Sequence, residues 1–479
     1  MKICLLLLVF AAPLRTFAQT PASTLPTAPL PPPNSLVLAI NVPPGPLMQR
    51  QSIPPSEQQP LVNPATDVTP ITRTDAEQLT LKNNPRITAS HLLALAAGQV
   101  TRETRSAELP QVSGAITAEK AEDASRIGAG ALTDSRLYTH VGTGGSLSQL
   151  ITDFGHTRNL VASNKLQQKA QDQTALATQQ DVLLATDQAF YRLLNAQALL
   201  DVAKATVAAR GDVQNLTSAL TRSALKSDLD LNIASADLSQ AQLLQLDAED
   251  AVASASATLA AVLAKPADTL YRAVEDPQAA LPPPPSADNS AAINSSAQAQ
   301  RPDLLALRLN AAADQKFATA QRLHHLPTIS ALALGGITPV APDGVFNPNW
   351  YAAGGVNLTL PLFTGFRIDA QAQESHLRQK AAEKQAQDLS ASIARDVRIA
   401  ILNAQTAFRR IAVADQFQHQ TAQALALAQT RYKLGLSSIV ELSQAQLQST
   451  QATVAAVNAR YDYLLSLRSL DYARGNLAP

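Results

Sequence analysis

Residues 366 to 434 contain neither glycine nor proline, and after Gly435 a helical pattern resumes and continues to Arg474-Gly475. At 1.5 Å per residue that run permits a helix of roughly 100 Å. Helices in compact domains usually stop after three or four turns. The chain therefore contains a rod that turns back within Thr430-Arg-Tyr-Lys-Leu-Gly-Leu-Ser-Ser-Ile-Val-Glu441.

Composition narrows what the rod can serve. Lys+Arg and Asp+Glu both number 38, so there is no basic excess for nucleic acid. Aromatics are only 4% of the 479 residues, while Ala, Gln, Leu and Ser fill whole stretches. Such material suits long helices packed along small-residue seams better than one large globular core.

The N-terminus reads as a secretory signal over residues 1 to 18. Lys2 supplies the positive charge, Cys4 to Ala12 the apolar run, and Thr16-Phe-Ala18 a small-x-small cleavage site. Cys4 is the single cysteine and would leave with the signal, so no thiol, disulfide or thiolate metal site is expected. Residues 19 to 73 read as an extended, disordered Pro-rich arm, with 14 prolines between Gln19 and Thr72. Within it Leu36-Val-Leu-Ala-Ile40 is a candidate short strand.

From residue 74 the chain repeats itself. Asn84-Pro85 and Leu109-Pro110 match Arg301-Pro302 and Leu326-Pro327 at one offset, 217 residues. Leu150 to Gly155 matches Leu360 to Gly365 at 210, and Thr221-Arg222 matches Thr430-Arg431 at 209. Preserved order with small drifts marks an internal duplication. The expected units are residues 74 to 275 and 297 to 479, joined by a Pro-rich linker over 276 to 296. Each unit reads as a helix (74 to 107; 299 to 324), a strand pair, a very long helix, a turn and a returning helix. The strands are expected at 111 to 119 and 136 to 151, and at 328 to 334 and 351 to 362. Leu176, Leu183 and Phe190, and Leu447, Val454 and Tyr461, recur at coiled-coil spacing, interrupted in register by Thr186, Gln197 and Thr450.

Four strands with one apolar face cannot close into a membrane barrel alone, since such barrels begin at eight. Residues beyond 18 offer no apolar run long enough for a membrane helix, so an exported protein of this design spans as an oligomeric barrel. Trp350 and Tyr351 at one strand end, and Phe363 and Phe366 at the other, are the candidate interfacial aromatics facing lipid. A periplasmic coiled-coil structural or adaptor protein without a barrel is the alternative.

The duplicated order, with Asn84-Pro85, Arg301-Pro302-Asp303, Leu360-Pro-Leu-Phe-Thr-Gly365, Thr430 to Gly435, Ser438-Ile-Val-Glu441 and Ala459-Arg-Tyr-Asp-Tyr463, resembles the TolC family of outer-membrane efflux channels over residues 74 to 476. The resemblance implies a mainly α fold with a membrane β-barrel: a homotrimer whose twelve strands form one barrel and whose twelve helices form a hollow periplasmic cylinder. It also implies a periplasmic adaptor and an inner-membrane pump as partners, and outer-membrane lipid around the barrel. By the same resemblance the turns are the gate and docking end. Glu441 matches an acidic constriction position, and the second such position is Gln444 here. The first-half tip is Leu225-Lys226-Ser227-Asp228-Leu-Asp230, with Lys226 in place of the turn glycine and Asp230 at the acidic position. Tyr432 matches a tyrosine that holds the closed state, whereas the arginine seen nearby in some members is Ser437. Leu434, Gly435 and Leu436 complete the docking tip. Taken without the family, Glu441 reads as a helix-start carboxylate stabilised by the helix dipole.

Catalytic patterns are weak. Gly142-Thr-Gly-Gly145 lacks the following Gly-Lys-Ser/Thr of a phosphate loop and falls in a strand. His324-His325 are expected to point apart on an extended segment, and there is no HExxH. No enzyme activity, cofactor or metal is expected.

Overall fold

A computed structural model describes residues 68–120, 126–127, 135–136, 140–275, 281–286, 290–337 and 350–477. The signal segment, the arm up to residue 67 and the strand expected at Leu36 to Ile40 lie outside these residues. The elements are β1 (Thr69–Ile71), α1 (Arg73–Asn83), α2 (Pro85–Ser106), β2 (Gln111–Glu119), β3 (Arg126–Ile127), β4 (Ser135–Arg136), β5 (His140–Thr152), α3 (His156–Arg222) and α4 (Asp228–Val262). They continue with β6 (Tyr271–Ala273), α5 (Ser290–Gln300), α6 (Pro302–Leu323), β7 (Thr328–Ile337), β8 (Trp350–Thr359), α7 (Arg367–Lys433) and α8 (Ile439–Ala473).

The two halves repeat the same order of helices and paired strands. Helices α1 and α2 begin 217 residues before α5 and α6, and α3 and α4 begin 211 residues before α7 and α8. Both long helices have 67 residues and both returning helices 35. The offset therefore changes once, in the segment joining each pair of strands. This corrects the match of Thr221-Arg222 with Thr430-Arg431: the true counterparts of Thr221 and Arg222 are Tyr432 and Lys433. At the strand-to-helix junctions Phe154 pairs with Gly365 and Gly155 with Phe366, and all four have positive φ. Glycine relieves one position of each junction, at opposite places in the two halves.

The first helix of each half is broken, against the expectation of one helix over 74 to 107. Asn84 and Arg301 take extended dihedrals (φ −70°, ψ 120°; φ −65°, ψ 120°) because a following proline excludes the α region. Pro85 and Pro302 then restart a helix at its first turn, where a missing N–H costs nothing. The buried Asn84 bridges the break: its Oδ1 accepts from Arg86 N (2.9 Å) and its Nδ2 donates to Val262 O (2.9 Å).

Two boundaries also move. Residues 69 to 71, read as part of the arm, form β1 and pair in parallel with β6, Ile71 opposite Ala273. Ile71 is buried with Phe190, Leu193, Leu259 and Leu263, which outweighs the prolines around it. The stretch read as linker up to residue 296 contains the start of α5, whose Ala297 packs with Leu304 and Ile393.

The seams between helices are built from alanine more than leucine. Val182, Ala189, Ala196, Ala203, Arg210 and Thr217 are buried at every seventh residue of α3, as are Ala234, Ala241 and Ala248 of α4. Leu183 and Phe190 are buried as expected, but Leu176 and Leu447 are exposed. Small side chains let long helices approach closely, and Leu176 and Leu447 lie off these seams within the protomer.

One buried ionic cluster joins α1, α3 and α8. Arg468 Nε donates to Asp187 Oδ2 (2.6 Å), Nη2 to Glu77 Oε1 (3.1 Å) and Nη1 to Asp471 Oδ2 (3.3 Å), while Arg73 also pairs with Glu77. Glu77 Oε2 and Asp187 Oδ1 are buried without a hydrogen-bond partner. Burial, reinforced by the neighbouring Asp187, pushes the Glu77 carboxyl up to about 7.

The main sheet has order β2-β5-β7-β8, antiparallel throughout. Its register places Val112, Ile116, Val141, Leu147, Ile329, Ile337, Trp350, Val356 and Leu358 on one face. The opposite face carries Ser113, Thr117, Ser146, Ser148, Thr328, Ser330, Asn357 and Thr359, interspersed with glycines and Leu332 and Leu334. Strands of 9 to 13 residues match the length that crosses a bilayer when tilted. β2 and β8 are the unpaired edges.

Candidate functional site

The turn at the end of α7 is a Schellman cap. Gly435 has φ +74°, its N–H donates to Tyr432 O (3.1 Å), and Leu436 N donates to Arg431 O (2.8 Å). The turn after α3 makes the same two bonds, Ala224 N to Thr221 O (2.9 Å) and Leu225 N to Leu220 O (2.9 Å), with Ala224 at φ +54°. Ala224, and not Lys226, stands in place of the glycine; Lys226 is the counterpart of Ser437. The two-residue error in the tip alignment is the cause.

Both returning helices are then capped by serine. Ser227 Oγ accepts from Asp230 N (3.2 Å) while Asp230 Oδ2 accepts from Ser227 N (3.3 Å), a reciprocal capping box. Ser438 Oγ accepts from Glu441 N (3.3 Å), but the Glu441 carboxylate turns away to Arg431, with Nε and Oε1 3.5 Å apart. Asp230 is thus committed to its own backbone and half-buried, whereas Asp228, Gln444 and Glu441 are exposed.

Tyr432 is the fixed point of the tip. Its side chain is 1% exposed among Ala234, Ala428, Ile439 and Leu442. Its Oη lies 3.0 Å from Thr217 Oγ1 on α3, and Lys226 Nζ sits 4.6 Å from the ring centroid. Tyr432 and Lys226, singled out separately in the sequence, are in contact, and they tie the two hairpins of one chain together. Thr217 and Arg431 escaped sequence reasoning; the signal for Thr217 was the seven-residue spacing from Ala203 and Arg210. Around these groups Leu225, Leu229, Leu434, Leu436 and Val440 are exposed at the very end of the rod.

At the other end of the chain's long axis the aromatic residues divide. Phe363 and Phe366 are exposed and meet edge to face at 5.7 Å. Trp350 is 79% exposed on the apolar sheet face. Tyr351, expected beside Trp350 in a lipid-facing girdle, lies on the polar face, because successive strand residues point to opposite sides.

Among the described residues no group of His, Cys, Asp or Glu is arranged to hold a metal ion, and no helix is long and apolar enough to cross a membrane. His324 and His325 stand in the turn ending α6 and not on an extended segment, yet they do point apart. His324 packs edge-on against His156 (4.9 Å) and His325 faces Asp369 (3.3 Å).

The sequence model of the family described as Outer membrane efflux protein matches residues 77–265 and 293–476, one block in each half. The chain belongs to that family. It is 24% identical over 405 residues to the Outer membrane protein TolC of Vibrio cholerae, covering 83% of this chain and 89% of the relative. Against the Outer membrane protein TolC of Escherichia coli K12 the identity is 24% over 415 residues, covering 82% and 80%. Among solved structures, the outer membrane protein VceC of Vibrio cholerae aligns with a TM-score of 0.73 at 19% identity, covering 84% of this chain and 96% of that one. The CmeC outer membrane channel of Campylobacter jejuni gives 0.73 at 20%, covering 84% and 85%. These likenesses carry the fold: a helical tunnel continuous with a β-barrel. As an efflux channel of the TolC family, the protein resides in the outer membrane of a Gram-negative bacterium with its helices in the periplasm, and its family is one of channels rather than enzymes. The barrel-free coiled-coil alternative falls with that assignment.

Proposed function

We propose that three copies of the chain form a passive export conduit in a tripartite system, receiving small molecules or protein from an inner-membrane pump through a periplasmic adaptor. The observation that carries the reading is the four-stranded sheet, apolar on one face, unpaired at β2 and β8, and mounted on a rod of roughly 100 Å. An isolated sheet with two bare edges is incomplete; joining β2 of one copy to β8 of the next closes twelve strands, puts the apolar face toward lipid and the hydroxyl-rich face toward a lumen. Trp350 then marks the outer interface, and Phe363 and Phe366 the inner one.

The helix tips form the periplasmic gate. Exposed Glu441, Asp228 and Gln444 face the narrowing axis, while Tyr432, Thr217 and Lys226 hold each protomer's two tips together, in place of an arginine at Ser437. The exposed leucines at Leu225, Leu434 and Leu436, with Lys226, Ser227, Gly435 and Ser437, are the adaptor's landing surface. Three Glu441 carboxylates on a low-dielectric axis attract cations, and each Arg431 tempers that charge.

Recovery of the protein in the outer-membrane fraction, with heat-modifiable migration on gels, tests the assembly; a soluble periplasmic protein sinks it. Glu441→Ala is expected to lower cation selectivity in planar bilayers, and unchanged selectivity would remove Glu441 from the constriction.

A further inference from the structure

Tyr351 is the second residue of β8, at the end of the sheet remote from the helices, so it stands near the outer mouth of the barrel. Register places it in a row across all four strands: Tyr351 opposite Gly336, Gly336 opposite Gly144, and Gly144 opposite Ala115. The tyrosine hydroxyl occupies the space that side chains on both glycines would fill. A methyl group on Gly144 would lie 2.6 Å from Tyr351 Oη, and one on Gly336 2.7 Å from it. Neighbouring strands are about 4.8 Å apart, and the hydroxyl has reached Gly144, two strands from its own backbone. The ring must therefore lie along the wall, crossing Gly336, instead of standing off it. Glycine inside a strand weakens the strand and marks a place where something else approaches closely; here that something is the ring.

We propose that Tyr351 sets the free width of the channel at its outer end, and that Gly144 and Gly336 form a notch that keeps the ring flat against the wall, out of the path of exported molecules. The proposal rests on the reading of the polar face as a lumen. In a closed trimer three such rings lie on the wall at one height. Filling the notch forces each ring into another staggered rotamer, and the remaining directions on that face lead toward the axis. The ring would then narrow the bore and place aromatic surface beside a wall of glycine, alanine, serine and threonine, with Leu334 one row further in.

The two glycines are unequal as probes. A side chain on Gly336 also meets the Gly144 Cα at 2.8 Å and collides with the Thr143 backbone, so it damages the sheet. On Gly144 the first obstacle is the mobile end of Tyr351, followed by Gly335 O at 3.2 Å. Gly144→Ala is therefore the informative change. Its expected effect is a ring displaced from the wall in an electron cryomicroscopy structure of the trimer, and a loss of open-state conductance in planar bilayers. Adding Tyr351→Phe removes the hydroxyl that the new methyl displaced, and is expected to return both the ring and the conductance to wild type. Tyr351→Ala, which leaves the glycines alone, is expected to conduct at least as well as wild type. A ring still flat against the wall in Gly144→Ala, or still displaced in the double variant, overturns the notch, and Gly144→Ala conducting like wild type overturns the claim that Tyr351 sets the free width; each result leaves the channel reading standing. A wild-type protein that forms no conducting trimer overturns the channel reading and this proposal with it.

Discussion

The two halves of the chain share a backbone and differ in what they bury on it. At mid-height the first half holds Glu77 and Asp187 around Arg468. The corresponding places in the second half are Asn294 and an exposed Arg398, beside an apolar core of Leu304, Ile393, Val397 and Ile401. The cause is the third partner: Arg468 comes from α8, and its counterpart on α4 is Ala257, so the second half has no equivalent cation to compensate a buried carboxylate. At the tips the same division recurs. One half supplies Tyr432, Gly435 and the Arg431–Glu441 pair, and the other supplies Lys226 and Thr217, which grip that tyrosine. Duplication fixed the lengths and caps; charge and shape then diverged wherever one half leans on the other.

That contrast can be broken at its strongest point first. Arg468→Ala strands two buried carboxylates and is expected to cost about 3–5 kcal/mol, read as a lowered thermal midpoint of the detergent-solubilised protein. Arg398→Ala, at the place on α7 that corresponds to Asp187 on α3, is expected to change stability by no more than about 0.5 kcal/mol. Equal effects would mean that the ionic cluster does not distinguish the halves.

The pH dependence sharpens the same point. Glu77 binds its proton more tightly in the folded protein, with a pKa pushed up to about 7. Its contribution is complete below the ordinary carboxylate range and is lost as the pH rises to about 7. Wild type is therefore expected to lose stability across that window, and Glu77→Gln to lose less of it. Parallel pH profiles for the two proteins would show that Glu77 titrates normally.

The smallest expected effect lies in the turns. Ala224→Gly relieves a left-handed alanine and should stabilise by about 1 kcal/mol, whereas Gly435→Ala should destabilise by a similar amount. Urea midpoints moving in opposite directions would confirm that the two caps are one geometry carrying different residues.

Much of this was legible in advance because it depends on spacing. The duplicated prolines, the alternating strands and the uninterrupted run before Gly435 need only local rules, and the halves, hairpins and rods follow from them. The features that escaped depend on register or on distant partners. Thr221-Arg222 resembles Thr430-Arg431 by two-residue coincidence, and only the cap bonds reveal that Ala224 holds the glycine's place. Leu176 and Leu447 satisfy a heptad pattern yet lie off the protomer's own seams, since those seams are made by alanines, which a search for large apolar residues passes over. Trp350 and Tyr351 looked like one girdle until strand alternation separated them. The Tyr432–Thr217 bond joins residues 215 apart in sequence; seven-residue spacing marks Thr217 as a seam residue, but no local pattern pairs it with Tyr432.

The single change of offset, from 217 to 211, says where this chain tolerates editing. One residue inserted within α3 or α7 would turn every later side chain of that helix by about 100°, carrying the alanine seam out of contact and the tip away from its partner hairpin. Between the paired strands the two halves already differ by six residues, and the long helices beyond them still begin and end in register. On the proposed topology, peptide tags, epitopes or capture sequences for display on the cell surface therefore belong between β2 and β5 or between β7 and β8, and nowhere along the rods.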